Sequence, residues 1–208
     1  MERKIVAING SIGSGKDTYA KTFIDNGYTR MSFAKNLKDS VAAIFGWDRE
    51  MLEGTTKEGR AIREQPDQYW CNKLGRDDVS PRWVLQNYGT NVVRRYLHND
   101  IWVFSLERSM MEIEGNIIIT DCRFPNELKM IRENNGIIIE VQRNLPFWYG
   151  LAASYNKGDI QMKPVELESV HESEWAWIGI NNPHYIIKNN GTIKDLENKA
   201  LDIIYTKN

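Results

Sequence analysis

A run of glycines around one lysine is the feature of this sequence most able to do chemistry. Residues 10–18 read Gly-Ser-Ile-Gly-Ser-Gly-Lys-Asp-Thr; they follow an apolar stretch and precede a segment with a helical pattern. Glycines let a backbone wrap closely around an anion, and the N-terminus of the following helix adds positive potential. Lys16 supplies a mobile positive charge for anionic oxygens. The Gly-x4-Gly-Lys spacing therefore predicts a phosphate-binding P-loop.

The end of this loop departs from the general motif. Asp17 stands where a Ser or Thr normally binds magnesium, and Thr18 comes one position later. The alternative interpretation is a glycine-rich turn between a strand and a helix, which leaves Lys16 unexplained. We therefore interpret the stretch as a nucleotide loop.

A second polar cluster lies on a predicted helix that begins at the Ser-Pro pair of residues 80–81. Arg82 and Gln86 are four residues apart, so they project from the same face. A guanidinium can bind a phosphate through two N–H groups, and an amide offers a donor and an acceptor to a base edge. The Gly-Thr pair at residues 89–90 is expected to break the helix and let a ligand approach the backbone. The open alternative is a solvated polar face followed by a helix stop.

A third cluster, Asp121-x-Arg123-x3-Glu127, directly follows the apolar run at residues 117–120. Ligands of open parallel sheets bind beyond the carboxyl ends of the strands. At that edge Asp121 would orient magnesium-bound water beside the P-loop, and Arg123 would reach a phosphate. Glu127 would fix the arginine or contact a sugar or base. The alternative is a helix N-terminus with favourable acidic residues and a surface arginine.

Short apolar runs alternate with helical stretches along much of the chain. Nearly all-apolar strands separated by helices indicate an α/β fold with a parallel sheet covered on both faces. Two stretches interrupt this rhythm: residues 49–81 are polar without a clear period, and residues 144–182 are rich in Trp and Tyr and long enough for a lid. The predicted strands are residues 5–8, 28–33, 117–120, 137–141 and 185–187, and the predicted helices include residues 15–25, 34–47, 127–134 and 192–204.

Composition sets limits on the class of protein. A chain of 208 residues with 41% hydrophobic residues suffices for one substantial α/β domain. The formal net charge of −1 argues against stable nucleic-acid binding. We find no signal peptide or membrane-spanning run and expect an intracellular protein without a membrane partner. The two cysteines and three histidines show no metal-ligand spacing, so we expect reduced thiols.

Together these motifs resemble the deoxynucleoside monophosphate kinases of tailed bacteriophages. The resemblance covers most of the chain, with a loosely matched middle at residues 47–81. Besides the three clusters it rests on Trp102, on the His-x2-Glu element at residues 171–174 and on the closing Asn-Gly-Thr-Ile-x-Asp-Leu. The Asp-Thr ending of the P-loop, unusual for the general motif, is this family's own pattern.

The resemblance implies a P-loop kinase fold with three α/β/α layers, a central parallel sheet and a lid insertion. It implies a single domain whose core is residues 1–47, 112–143 and 183–208, with an acceptor-binding region at about 48–111 and a lid at about 144–182. It also implies transfer of the ATP γ-phosphoryl group to deoxynucleoside 5′-monophosphates. That activity would supply DNA precursors in the cytoplasm of an infected bacterium.

The same resemblance assigns residues to roles. Lys16, Arg82, Asp121 and Arg123 are the expected catalytic residues. Magnesium would be held by Asp17, Thr18 and Asp121, in part through water. One departure concerns Trp83, because the family often has a second basic residue there; this chain has one fewer charge near the acceptor phosphate. The expected ATP-binding residues are Gly13, Ser14, Gly15, Lys16, Asp17 and Thr18, and the expected acceptor-binding residues are Arg82, Gln86, Gly89, Thr90, Trp102, Arg123 and Glu127.

Two other functions stay open at this point. A P-loop kinase for another phosphorylated metabolite would share the loop, and only its acceptor would differ. A nucleotide-dependent ATPase switch would also use the loop, although an acidic pair to activate water is missing after the third strand. The partners expected are ATP, Mg²⁺ and the acceptor nucleotide, and apolar positions at residues 34–47 leave a homodimer open.

Overall fold

Five strands form one all-parallel sheet in the computed structural model, which describes residues 3–205. Their order across the sheet is β2-β3-β1-β4-β5, so the chain winds to one side of β1 first and to the other side later. Such a reversal creates a crevice at the carboxyl end of the central strand. The strands are β1 (Ile5–Asn9), β2 (Thr29–Met31), β3 (Ile117–Ile119), β4 (Ile137–Gln142) and β5 (Tyr185–Lys188).

Helices connect the strands and fill the interrupted stretches. The part that lacks a sequence period, residues 49–81, folds into three short helices because Asp48, Thr56 and Asp67 each accept a backbone N–H at a helix start. The α-helices are α1 (Lys16–Asp25), α2 (Lys35–Phe45), α3 (Arg49–Glu53), α4 (Lys57–Glu64), α5 (Gln68–Leu74), α6 (Pro81–Gln86), α7 (Ile101–Met110), α8 (Pro125–Glu133), α9 (Tyr149–Lys157) and α10 (Ile193–Tyr205).

The sheet is covered on both faces, as the apolar strands predict. On one face Ile8 and Val141 pack with Phe23 of α1 and Leu196 of α10. On the other face α8 contacts β1 and β4, and the Tyr149 hydroxyl of α9 donates to Glu140 of β4. The three-layer α/β/α arrangement with a central parallel sheet is therefore confirmed.

The chain divides into two compact units. The first comprises the chain up to Ser32 and from Arg108 onward, and it contains the whole sheet. The second, Phe33–Glu107, contains α2 to α6 and has a core of its own around Val41, Leu52 and Val84. Within residues 3–205 no helix is both long and apolar enough to cross a membrane.

The expected break at residues 89–90 is wrong. The chain continues from α6 directly into a π-helical stretch, Asn87–Arg94. Gly89 lies inside it and packs so closely on Leu37 that an added Cβ would lie 2.7 Å from that side chain. The glycine therefore serves close packing within a continuous helix rather than a helix stop.

Candidate active site

The loop between β1 and α1 has the conformation that the glycine spacing predicts. The Ser14 N–H donates to the Ser11 carbonyl at 3.1 Å, which closes a tight turn, and the Gly15 carbonyl accepts the Tyr19 N–H at 2.9 Å. Gly15 has φ of 92°, a left-handed conformation that only glycine adopts without strain. The loop therefore makes a tight turn and leads directly into the N-terminus of α1.

Three polar side-chain atoms in this loop and at the end of β1 are buried and lack a hydrogen-bond partner within residues 3–205. They are the hydroxyl oxygens of Ser11 and Ser14 and the amide oxygen of Asn9. A buried polar group without a partner costs free energy, and such groups gather where a ligand completes them. The two hydroxyls are donors, which suits phosphate oxygens.

Lys16 is the cation at the centre of this site. Its side chain is only 13% exposed, and its Nζ lies 3.9 Å from a carboxylate oxygen of Asp17. Burial lowers the pKa of the Lys16 ammonium; the Asp17 carboxylate opposes that change, and the Arg123 guanidinium adds to it. The carboxylates of Glu174 and Asp121 also act on the Lys16 pKa. The structure thus brings three predicted catalytic residues (Lys16, Asp121 and Arg123) into one electrostatic cluster.

Asp121 is held at the carboxyl end of β3 by a residue that the sequence did not single out. The Ser32 hydroxyl donates to a carboxylate oxygen of Asp121 at 2.6 Å. Ser32 directly follows β2, which pairs with β3 in parallel. The two carboxyl ends therefore lie side by side, and the hydroxyl orients the carboxylate.

Arg123 is held through both its backbone and its side chain. A carboxylate oxygen of Glu127 accepts the N–H of Arg123 at 2.7 Å and that of Phe124 at 3.1 Å. Glu127 is 2% exposed, so of its two predicted roles these contacts match the fixing of the arginine. Contact with a sugar or base stays a prediction. The Arg123 guanidinium pairs with Glu174 at 2.8 Å.

Asn189 fixes the loop from the far end of the chain, and sequence reasoning missed it. Its side-chain amide donates to the Ser14 carbonyl at 2.8 Å, and its own N–H donates to the Gln142 carbonyl at 2.9 Å. An added Cβ on Gly15 would collide with that amide. The sequence gives Asn189 only as one of two asparagines in a turn after β5.

The second unit contains most of the residues predicted to bind the acceptor. Arg82 lies near the start of α6 and pairs with Glu64 of α4 at 3.0 Å, and Gln86 ends α6. The Trp102 indole N–H donates to the Gly89 carbonyl at 3.0 Å, which joins two predicted acceptor residues. Their role, and that of the half-buried Thr90, stays a prediction.

The predicted lid, residues 144–182, contains a folded part and an exposed part. The Asn156 side chain donates to the carbonyls of Trp175 and Ile178 at 2.8 and 2.9 Å, and Trp177 is 2% exposed. Trp175 and Trp177 therefore pack in the core. Residues 158–169, directly after α9, are mostly exposed, Met162 at 82% among them. The lid itself stays a prediction.

The carboxylates of the site are spread rather than clustered. Among residues 3–205 there is no group of three or more His, Cys, Asp and Glu side chains placed to hold a metal ion. The oxygen donors Asp17, Thr18 and Asp121 are of the kind that Mg²⁺ prefers. Mg²⁺ usually binds through one or two carboxylates together with substrate phosphates and water.

Comparison with known proteins gives the relationship. A putative deoxynucleotide monophosphate kinase of Acanthamoeba polyphaga mimivirus is 27% identical over 215 residues, covering 96% of this chain and 95% of its own. A deoxynucleoside-5′-monophosphate kinase of Escherichia phage T5 is 29% identical over 181 residues, covering 63% of this chain and 72% of its own. This chain is a homologue of viral deoxynucleotide monophosphate kinases. The resemblance drawn from the motifs is thereby confirmed, while no family model matches the chain.

A solved structure supports the fold independently of these kinases. The crystal structure of TT1252 from Thermus thermophilus superposes with a TM-score of 0.51 at 17% identity, and the match covers 100% of both chains. At this identity the likeness concerns the fold alone. It supports a likeness of fold along the whole length of the chain.

Proposed function

We propose that this protein is a deoxynucleoside monophosphate kinase, which transfers the ATP γ-phosphoryl group to a deoxynucleoside 5′-monophosphate. The observation that carries the proposal is the P-loop at the central strand, with the charges of Asp121 and Arg123 acting on Lys16 at its edge. The names of the two viral relatives supply the class of acceptor.

ATP fits the described loop. Its phosphates would accept hydrogen bonds from the backbone N–H groups of the loop and from the hydroxyls of Ser11 and Ser14. These two hydroxyls are buried without a partner in the described part of the chain. Lys16 would approach the transferring phosphoryl group as a point charge. Asp17, Thr18 and Asp121 would hold Mg²⁺ with the phosphates and water, and the ion supplies charge neutralisation between the phosphates when bound.

The transfer is a direct, in-line displacement. An oxygen of the acceptor monophosphate attacks the γ-phosphorus, the bond from that phosphorus to the bridging oxygen breaks, and ADP leaves. Both reactants are anions, so the protein acts by alignment and charge compensation. Lys16 and Arg123 stabilise negative charge on the transferring group, and no covalent enzyme intermediate forms.

The acceptor would bind through the second unit. We assign Arg82 to the acceptor phosphate and Gln86, Gly89, Thr90 and Trp102 to the rest of the nucleotide. In the structure the Arg82 guanidinium forms an ion pair with Glu64. The acceptor phosphate would displace the Glu64 carboxylate from this guanidinium. Closure of residues 144–182 would exclude water, which otherwise competes as an acceptor.

The test is ADP production from ATP and Mg²⁺ with each of the four deoxynucleoside monophosphates and their ribonucleotide counterparts. We expect fast turnover with deoxy acceptors, and Lys16→Met should abolish it. Lys21→Met is the matched control, because Lys21 lies on α1 and is exposed, paired only with Asp25 in the described residues. Turnover that survives in Lys16→Met would contradict the assignment of the loop.

The same assay separates the alternatives. Acceptor-independent ADP production would favour an ATPase switch. ATP binding without any nucleotide acceptor would point to another phosphorylated metabolite, which the same assay can then screen.

A further inference from the structure

Arg123 is held by a short 3₁₀ helix, Glu172–Glu174, that lies far from it in sequence. Its Nη1 donates to the Ser173 carbonyl at 3.2 Å and pairs with a carboxylate oxygen of Glu174 at 2.8 Å. Both side chains are shielded, with Arg123 24% and Glu174 15% exposed. The attraction between two charges shielded in this way is stronger than in open water, because the effective dielectric constant is lower.

The contacts leave one side of the guanidinium for a ligand. Within residues 3–205 the side-chain hydrogen bond and the ion pair of Arg123 are both made through Nη1. The planar guanidinium has five N–H donors, so Nε and Nη2 still present a forked edge of the kind that binds phosphate oxygens. The Glu174 carboxylate binds Nη1, and the planar guanidinium then fixes the direction in which its Nε–Nη2 edge points.

We propose that Glu174 is a positioning residue that holds Arg123 in the orientation in which its Nε–Nη2 edge meets the transferring phosphoryl group. The inference rests on the proposed kinase activity, since Arg123 acts there on phosphate. It assigns to Glu174 a part in catalysis that packing alone would not require.

The support behind Glu174 is rigid enough for this role. The Glu174 N–H donates to the His171 carbonyl at 2.9 Å, and the Ala176 N–H donates to the Glu172 carbonyl at 2.9 Å. Directly after it, Trp175 and Trp177 are buried at 7% and 2% exposure. The backbone that carries Glu174 is thus held by hydrogen bonds and by buried neighbours in sequence, and small displacements of a reacting group are costly for rate.

The carboxylate also acts on the charge of the site. Glu174 raises the pKa of Lys16, which burial lowers, so its negative charge favours the ammonium form. Two cations, Lys16 and Arg123, thus share the influence of one carboxylate. The Glu174 carboxylate thus pairs with Arg123 and also favours the charged form of Lys16.

The experiment compares Glu174→Ala with Glu172→Ala in the full-length protein. Glu172 lies on the same 3₁₀ helix and is exposed, so it is the matched control. We expect Glu174→Ala to lower kcat by about tenfold and to raise the KM for ATP, because Arg123 would contact the γ-phosphate of bound ATP and contact it more strongly in the transition state. Glu174→Asp, which keeps the charge, should recover part of the loss, and Glu172→Ala should match the wild type.

A double-mutant cycle distinguishes positioning from damage. If Glu174 acts through Arg123, then adding Glu174→Ala to Arg123→Ala produces no further loss of kcat. An equal loss in both backgrounds would overturn the proposal, since it would mean a separate structural effect. Unchanged kcat in Glu174→Ala, or a rise, would overturn it as well, the latter because Glu174 would then be restraining the arginine.

A binding measurement keeps this result separate from the proposed function. The ratio of ATP to ADP affinity, measured by calorimetry in a buffer with Mg²⁺, reports contacts with the γ-phosphate without any acceptor. We expect Arg123→Ala and Glu174→Ala to reduce this ratio alike and Glu172→Ala to leave it unchanged. If no deoxynucleotide is phosphorylated but Arg123→Ala and Glu174→Ala both reduce the ratio of ATP to ADP affinity, the acceptor assignment fails and the role of Glu174 stands. If Glu174→Ala leaves this ratio unchanged, the role of Glu174 is overturned.

Discussion

The Asn189 side chain holds the Ser14 carbonyl at 2.8 Å, which ties the end of β5 to the P-loop near the start of the chain. Asn189 is 7% exposed, so this hydrogen bond is shielded from water. The same amide occupies the space beside Gly15 where a side chain would lie. One residue therefore sets both the position of the loop backbone and the requirement for glycine in it.

Replacing Asn189 should loosen the loop. Asn189→Ala removes the donor and leaves a buried carbonyl unpaired, which costs about 1–3 kcal/mol. We expect a lower melting temperature and weaker ATP binding, measured by thermal unfolding and calorimetry. Asn190→Ala, at the neighbouring exposed position, is the control and should change neither quantity. Equal effects of the two substitutions would contradict the proposed link to the loop.

Two glycines of the loop should respond differently to alanine. Gly15 and Gly13 both have positive φ, at 92° and 78°, so alanine strains the backbone at either position. Only at Gly15 does the added methyl also collide, with the amide of Asn189; at Gly13 the space is open. We expect Gly15→Ala to abolish ATP binding and Gly13→Ala to weaken it, as calorimetry would measure. A larger loss of ATP affinity in Gly13→Ala than in Gly15→Ala would contradict the role assigned to the collision with Asn189.

Much of the fold follows from patterns that the sequence carries locally. The apolar run at residues 117–120 and the glycine spacing at residues 10–16 each predict a structure from neighbouring residues. The predicted strands and helices are present, and each bound lies close to its prediction. The exception at Gly89 arises because a glycine inside a helix and a glycine after one look alike in sequence, and Leu37, which decides between them, lies elsewhere in the chain.

The candidate site was predictable only in part, for a related reason. Lys16, Asp121 and Arg123 follow strands whose carboxyl ends meet at one edge, so topology brings them together. Ser32 and Asn189 touch the site through contacts across 89 and 175 residues of sequence. No local pattern marks a serine or an asparagine for such a contact, and only the folded sheet reveals it.

The hydrogen bond from Ser32 to Asp121 should tune magnesium use. Ser32→Ala removes the hydroxyl that orients the carboxylate at 2.6 Å, while it leaves the charge of Asp121 in place. We expect the Mg²⁺ concentration for half-maximal turnover to rise about tenfold or more, since loss of a hydrogen bond to a charged group is worth about 1.5–3 kcal/mol. Titration of Mg²⁺ at fixed ATP measures it, with Ser109→Ala as a comparison outside the site. If the Mg²⁺ dependence of turnover is unchanged in Ser32→Ala, the Ser32 hydroxyl does not contribute to Mg²⁺ binding.

A network of charges in the second unit makes that unit sensitive to acid. Arg49 donates to Asp39 at 2.6 Å and to Glu53 at 2.9 Å, and Lys35 and Lys38 add to the two carboxylates. Burial acts to raise the pKa of Asp39 and Glu53, but hydrogen bonds and charges from these cations outweigh it. Both pKa values therefore lie below the ordinary 3.8 and 4.5.

Removal of Arg49 should flatten the acid dependence of stability. A carboxyl whose pKa is lower in the folded state stabilises the fold above its ordinary pKa, and that stability is lost as pH falls through the folded value. We expect the urea-derived free energy of unfolding to fall between about pH 5 and 3 in the wild type and less steeply in Arg49→Met. At neutral pH the variant should lose about 1 kcal/mol or less, because the partners are partly exposed and water screens them. Lys129→Met, which breaks an exposed pair with Glu133, controls for the loss of one positive charge. If Lys129→Met flattens the pH dependence of the free energy of unfolding as much as Arg49→Met does, the acid sensitivity comes from net charge and not from this network.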